Sequence, residues 1–153
     1  MTASKVVLFI CVGNSGRSLM AEAMFNANPP EGWTAISAGT SPAASVNSRT
    51  APMLRELGLD LPPHPPQLLT PEMMTQARVR VTMGCLDDAS CPARLKTLEL
   101  RDWSLPDPAL LDDNGFREVR DRLARSVKGL RTELALSDRR RKGVAEDISA
   151  RSA

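Results

Sequence analysis

The stretch Val6-Val7-Leu8-Phe9-Ile10-Cys11-Val12-Gly13-Asn14-Ser15-Gly16-Arg17-Ser18 decides how the rest of the chain is read. Its opening residues are continuously apolar, the pattern of a strand covered on both faces. A short loop with two glycines follows. From Arg17 onward Leu19, Met20, Ala23 and Met24 fall at helical spacing, and Pro29-Pro30 stops that helix near Ala27. In a strand, loop and helix of this kind the loop amides turn inward and the helix N-terminus adds partial positive charge at the same point. The result is a cup for a tetrahedral oxyanion, lined by Val12, Gly13, Asn14, Ser15, Gly16, Arg17 and Ser18. Arg17 on the first helical turn offers a planar fork to two oxygens of the anion. Cys11 lies at the floor, where amides, helix end, Arg17 and the Ser18 hydroxyl favour its thiolate, the nucleophilic form. A buried strand-end cysteine beside an ordinary turn would leave the spacing from Cys11 to Arg17 without a reason.

Working outward, Trp33 to Ala38 reads as a second strand ending at Gly39. Ser48 is placed to cap a helix carrying Ala51, Met53, Leu54 and Leu57, which stops at Gly58. Leu61 to Pro66 is too rich in proline for either element. Thr70-Pro71 resembles an N-cap with proline at the first helical position, opening a short helix through Met73 and Met74. Arg78 to Met83 predicts a third strand and Leu95 to Leu100 a fourth. Phe116, Val119, Leu123, Val127 and Leu130 form one apolar stripe, so a long helix is expected from about Asn114 to Leu136. Residues 137–153 are polar and charged, and fraying is expected there. The organisation is thus a single domain over 1–136 and a charged tail over 137–153. Alternating strands and helices imply a parallel sheet with helices on both faces and right-handed crossovers. Ligands meet such sheets at the carboxyl ends of the strands, where Cys11 stands.

Composition narrows the function. The 153 residues carry a net charge of only +2, of mixed signs apart from the run Arg139-Arg140-Arg141-Lys142, lack tyrosine and are 3% aromatic, so nucleic acid is not an expected partner. No run approaches a membrane span, and no export signal is read at the start, so a cytoplasmic protein without a membrane role is expected. An odd number of cysteines, 3, cannot close into a static disulfide framework. With His64 as the single histidine and a six-residue step between Cys85 and Cys91, no metal site is expected and no cofactor is called for.

Cys85 and Cys91 follow the third strand, which in a parallel sheet can neighbour the first. Cys85 would then reach the rim of the cup and attack sulfur in a Cys11 adduct, releasing a reduced product and leaving a disulfide. Cys91 could attack in turn. Six helical residues separate two α-carbons by about 9 Å, beyond the roughly 7 Å that a disulfide spans. If residues 85–92 are helical when reduced, they must unwind to form the Cys85–Cys91 bond. Asp107, in the proline-bounded run Asp102-Trp103-Ser104-Leu105-Pro106-Asp107-Pro108-Ala109, could protonate an oxygen leaving the central atom. An Asp-Pro pair is equally a common turn element.

Taken together, Cys11 to Met20, Trp33 to Gly39, Val81 to Pro92 and Trp103 to Ala109 resemble the thioredoxin-coupled arsenate reductases, which share the low-molecular-weight protein tyrosine phosphatase fold. The resemblance covers roughly residues 5–136. It implies a three-layer α/β/α domain with a four-stranded parallel sheet of order 2-1-3-4. It further implies reduction of arsenate to arsenite, with Cys11 as nucleophile, Cys85 and Cys91 as successive resolving thiols, Arg17 as oxyanion ligand, Asp107 as proton donor, and Asn14 and Ser18 as loop-stabilising residues. Thioredoxin would be the reducing partner, and phosphate or sulfate would compete with arsenate. Two departures stand out. Gly16 replaces a cysteine often found before the loop arginine. Asn14, Glu22 and Ser37 match part of a potassium site known in some relatives, but Gln67 stands where an acidic ligand is expected. Two other functions remain open on the sequence: a phosphatase using Cys11, Arg17 and Asp107 alone, and an oxyanion or arsenite sensor that binds without turnover.

Overall fold

The computed structural model describes residues 5–84 and 100–151, with side chains as far as Arg140. The elements, in chain order, are β1 Lys5–Cys11, α1 Arg17–Ala27, β2 Trp33–Gly39, α2 Thr50–Arg55, α3 Pro71–Gln76, β3 Val79–Thr82, β4 Arg101–Asp102, a single 3-10 turn Pro108–Leu110, and α4 Asp113–Arg151. The four strands form one parallel sheet in the order β2-β1-β3-β4. This is the expected order.

β1 is central because both its faces are apolar. Val7, Phe9 and Cys11 point into a core shared with Met20, Met24 and Phe25 of α1, Met53 and Leu54 of α2, and Phe116, Val119, Leu123 and Val127 of α4. Leu8 and Ile10 point the other way, against Met74 and Ala77 beside α3. Period-two alternation therefore gives β1 a helix layer on each side. Its Leu8, Phe9 and Ile10 are fully buried, each contributing about 1.5–3 kcal/mol of transfer free energy.

Where local chemistry was strongest, the elements begin as anticipated. Thr70 accepts a hydrogen bond from the Met73 amide at 3.2 Å, with Pro71 at the first helical position of α3. α2 departs from expectation, starting at Thr50 without a serine cap. Asn47 does the work of Ser48: its Oδ1 accepts from the Arg49 amide at 2.9 Å and its carbonyl from the Thr50 amide at 3.0 Å. The described part of the fourth strand is Arg101–Asp102, just after the expected span; residues 95–99 of that span lie outside the described residues.

α4 continues through most of the stretch expected to fray, with a helical backbone to Arg151. Its apolar stripe runs one turn further than anticipated, to buried Leu134. Beyond that, Asp138 accepts from Trp33 Nε1 at 2.8 Å and pairs with Lys5 Nζ at 2.9 Å, which fastens α4 to the starts of β1 and β2. Among the described residues, no helix is long and apolar enough to cross a membrane.

Candidate active site

β1 and β3 are neighbours, and the chain leaves the carboxyl end of β1 toward β2 on one side and that of β3 toward β4 on the other. A crevice opens at such a switch point. Cys11, the last residue of β1, is 3% exposed beneath a cavity of about 210 Å³ lined by Cys11, Val12, Gly13, Ser15, Gly16, Arg17, Asn47, Asp107, Pro108 and Ala109. That volume is below the ~300–1,000 Å³ typical of pockets for drug-sized ligands. It suits a small anion.

The loop between β1 and α1 is seated by its carbonyls. Those of Cys11, Val12, Gly13 and Ser15 accept from the amides of Thr40, Ser41, Ala43 and Asn47 at 2.9–3.1 Å. Thr50 Oγ1 adds a second bond to the Ser15 carbonyl at 2.8 Å. With its carbonyls turned outward, the loop keeps the amides of Val12, Gly13 and Ser15 to Ser18 without an acceptor among the described residues, an arrangement that suits an anion. Gly39 permits the approach, because a Cβ there would fall 2.4 Å from the Val12 carbonyl oxygen.

The loop turns at Asn14 and not at its glycines. Asn14 has φ 48°, the left-handed region, whereas neither Gly13 nor Gly16 has positive φ. Asparagine tolerates that region better than most residues. Its side chain is fully buried and locks the turn: Nδ2 donates to Ser18 Oγ at 2.7 Å and to Ser37 Oγ at 3.0 Å, while Oδ1 accepts from the Gln67 amide at 3.0 Å. The Gln67 donor fixes which end of the amide is oxygen. Because Ser18 Oγ already accepts from Asn14, its own proton is left for Cys11 Sγ, 2.9 Å away. The Asn14 amide donates to the same sulfur at 3.2 Å. Two donors thus converge on Sγ.

Arg17 is buried at the start of α1. Its Nη1 donates to the Leu105 carbonyl at 2.8 Å and more loosely to that of Met83 at 3.4 Å, so the guanidinium braces the chain after β3 and β4. Leu105 belongs to the segment that carries Asp107. Asp107 is exposed at the cavity mouth, and its Oδ1 accepts from the Ala109 amide at 3.0 Å, capping the 3-10 turn. Oδ2 takes no hydrogen bond from the described residues. The turn reading and the acid reading of Asp107 are therefore compatible. Cys85 and Cys91 lie outside the described residues.

Several residues here carry no signal in the sequence. Asn47 and Thr50 anchor the loop from a segment more than thirty positions away. A polar chain continues from Asn14 through Ser37, whose Oγ donates to Glu22 Oε1 at 2.9 Å, to His64, whose Nε2 lies 2.9 and 3.1 Å from the two Glu22 oxygens. His64 Nδ1 is 2.8 Å from the Pro65 carbonyl. Both ring nitrogens face acceptors, so the ring must donate twice. Burial works against that charge, but the Pro65 carbonyl and Glu22 outweigh it and hold the His64 pKa above its ordinary value. The Glu22–Ser37 corner is thus engaged by His64, and Gln67 gives its Nε2 to the Ser37 carbonyl at 2.8 Å. Among the described residues, no three His, Cys, Asp or Glu side chains gather as metal ligands.

Fold and cavity together put the chain among α/β proteins that meet a small ligand with a thiol at the switch point of a parallel sheet. The chain belongs to the low molecular weight phosphotyrosine protein phosphatase family, whose sequence model matches residues 6–141. Within that family it is similar to arsenate reductase 1 of Staphylococcus epidermidis, 32% identical over 124 residues that cover 81% of this chain and 93% of the relative. An arsenate reductase of Staphylococcus aureus is 31% identical over 81% of this chain and 94% of its own length. Among solved structures, a Corynebacterium glutamicum thioredoxin-dependent arsenate reductase superposes with TM-score 0.73 at 28% identity, covering 89% of this chain and 64% of that one. An arsenate reductase in the phosphate binding state gives TM-score 0.74 at 26% identity, covering 84% and 98%. An arginine phosphatase from Geobacillus stearothermophilus, TM-score 0.74 at 23% identity over 87% and 94%, shares the fold.

Proposed function

We propose that this protein reduces arsenate to arsenite with Cys11 as nucleophile and Cys85 and Cys91 as resolving thiols, and that thioredoxin restores it. The observation that carries the reading is that Cys11, Arg17 and Asp107 border one anion-sized cavity in a chain similar to proteins named arsenate reductases. Loop amides and the unused part of the Arg17 fork hold the arsenate oxygens. The Cys11 thiolate attacks arsenic, forming a sulfur–arsenic bond as one arsenic–oxygen bond breaks. Asp107 gives its proton to the departing hydroxyl, which leaves as water.

The Cys85 thiolate then attacks Cys11 Sγ. The sulfur–arsenic electron pair passes to arsenic, arsenic(V) becomes arsenic(III), arsenite departs, and a Cys11–Cys85 disulfide holds the oxidation. The Cys91 thiolate displaces Cys11, which becomes a thiolate again, and the thioredoxin dithiol reduces the Cys85–Cys91 disulfide. The roles of Cys85 and Cys91 rest on the sequence. Phosphate and sulfate fit the same cup and compete.

Cys11, Arg17 and Asp107 also suffice to hydrolyse a phosphate monoester. Exposed Ala109 and Leu110 follow the acid and offer an aryl ring no aromatic partner, so we assign such hydrolysis a residual place. The test is an assay coupling arsenate, thioredoxin, thioredoxin reductase and NADPH. NADPH oxidation is expected to require arsenate and thioredoxin and to vanish in Cys11→Ser and Cys85→Ser. Full turnover in Cys85→Ser refutes the relay, and thiol-dependent arsenite binding without NADPH consumption identifies a sensor.

A further inference from the structure

The acid loop and the oxyanion loop come from distant parts of the chain, and besides Arg17 a second residue, Arg49, ties them together. Arg49 Nη2 donates to the carbonyls of Pro108 and Ala109 at 3.0 and 3.3 Å, and Nη1 donates to that of Leu111 at 2.8 Å. Nη1 also meets Asp113 Oδ1 at 3.3 Å, and the guanidinium carbon sits 4.9 Å from the centre of the buried Phe116 ring. Three carbonyls from the four residues after Asp107 thus converge on one planar cation, which a lysine ammonium cannot match. The backbone of Arg49 is tied as firmly in the other direction. Its amide donates to Asn47 Oδ1, the Asn47 amide donates to the Ser15 carbonyl at 3.1 Å, and Thr50 Oγ1 donates to that same carbonyl.

We propose that Arg49 is the positioning residue for Asp107: it holds the acid loop in register with the Cys11 loop, so that the aspartate stands over an oxygen leaving the bound anion. This rests on the reading of Asp107 as proton donor. As the bond from the central atom to sulfur forms and its bond to the leaving oxygen breaks, the Asp107 carboxyl gives that oxygen its proton and becomes a carboxylate. Arg49 touches neither anion nor sulfur. Its contribution is confined to geometry, where a misplacement of about 1 Å costs on the order of 100-fold.

Paired esters expose that role. Dinitrophenolate leaves without a proton, whereas phenolate needs one. Arg49→Ala is expected to lower kcat/KM on phenyl phosphate, which reports only on formation of the Cys11 phosphoenzyme, by on the order of 100-fold, to leave kcat/KM on dinitrophenyl phosphate nearly unchanged, and to keep competitive inhibition by inorganic phosphate at its wild-type strength. Arg49→Lys, which retains charge and most of the packing on Phe116, is expected to fall between them. The double variant Arg49→Ala/Asp107→Asn should be no slower on phenyl phosphate than Asp107→Asn alone, because both changes remove one function.

Equal losses on the two esters, or additive losses in the double variant, overturn the assignment. So does a wild-type protein that cleaves neither ester. If Asp107→Asn itself shows no dependence on the leaving group, the acid reading has failed. The coupled arsenate assay reports separately on whether the reductase reading stands.

Discussion

Asn14→Ala puts the architecture of the anion loop under the most direct strain. The substitution removes the Nδ2 bonds to Ser18 and Ser37 and the Oδ1 bond from the Gln67 amide, all at a residue with no exposed surface. At about 1 kcal/mol net for each bond, the loss is about 3 kcal/mol. Alanine must also hold φ 48°, which costs a further ~1–2 kcal/mol that asparagine largely avoids. A total near 4–5 kcal/mol follows. With a urea slope of about 2 kcal/mol per molar, the unfolding midpoint should drop by roughly 2 M. Asn14→Gly keeps the backbone term small and should recover ~1 kcal/mol of the loss. Urea titration followed by circular dichroism measures both. A midpoint within ~0.5 M of wild type for Asn14→Ala, or a glycine variant less stable than the alanine one, would refute the claim that Asn14 and not the glycines shapes the loop.

Other predictions follow from the same geometry. Arg17→Lys retains charge but gives up the planar fork and the Leu105 brace; losing one charged hydrogen bond of ~1.5–3 kcal/mol should lower kcat/KM for arsenate by about 10- to 150-fold, read in the coupled assay. Gly84→Ala places a Cβ 2.4 Å from Ser104 Cα at φ 77°, so thermal melting should show a loss of about 2 kcal/mol or more and a Tm fall of at least ~4 °C; an unchanged melt contradicts it. His64 has a raised folded pKa, so its stabilisation is complete below its unfolded pKa of ~6.5 and is lost as pH rises through the folded value. His64→Gln should accordingly cost on the order of 1 kcal/mol at about pH 5.5 and much less at about pH 9, measured by urea titration at each pH.

The parts of this molecule that could be read from its sequence are those set by short-range rules. A two-sided apolar run announced the central strand, the spacing from Cys11 to Arg17 announced the loop, and Thr70-Pro71 announced the start of α3. What escaped depends on contacts between distant segments. Nothing near Asn47 or Arg49 reveals that one anchors Ser15 and the other gathers the carbonyls after Asp107. The persistence of α4 past Leu136 depends on Trp33 and Lys5 reaching Asp138, more than a hundred residues away. The loop's left-handed residue is an asparagine and not one of its glycines, because Ser18, Ser37 and Gln67 are all positioned to use the amide.

In the proposed relay, arsenic is reduced by electrons that begin on this chain's own thiols. A single-turnover experiment without any external reductant addresses it: fully reduced protein is mixed with excess arsenate, arsenite is quantified, and disulfides are mapped by mass spectrometry. One arsenite should be released per chain, with two thiols lost and the new disulfide between Cys85 and Cys91 while Cys11 is left free. Arsenite formed without loss of thiols, or no arsenite at all from a folded protein that binds the anion, would contradict it.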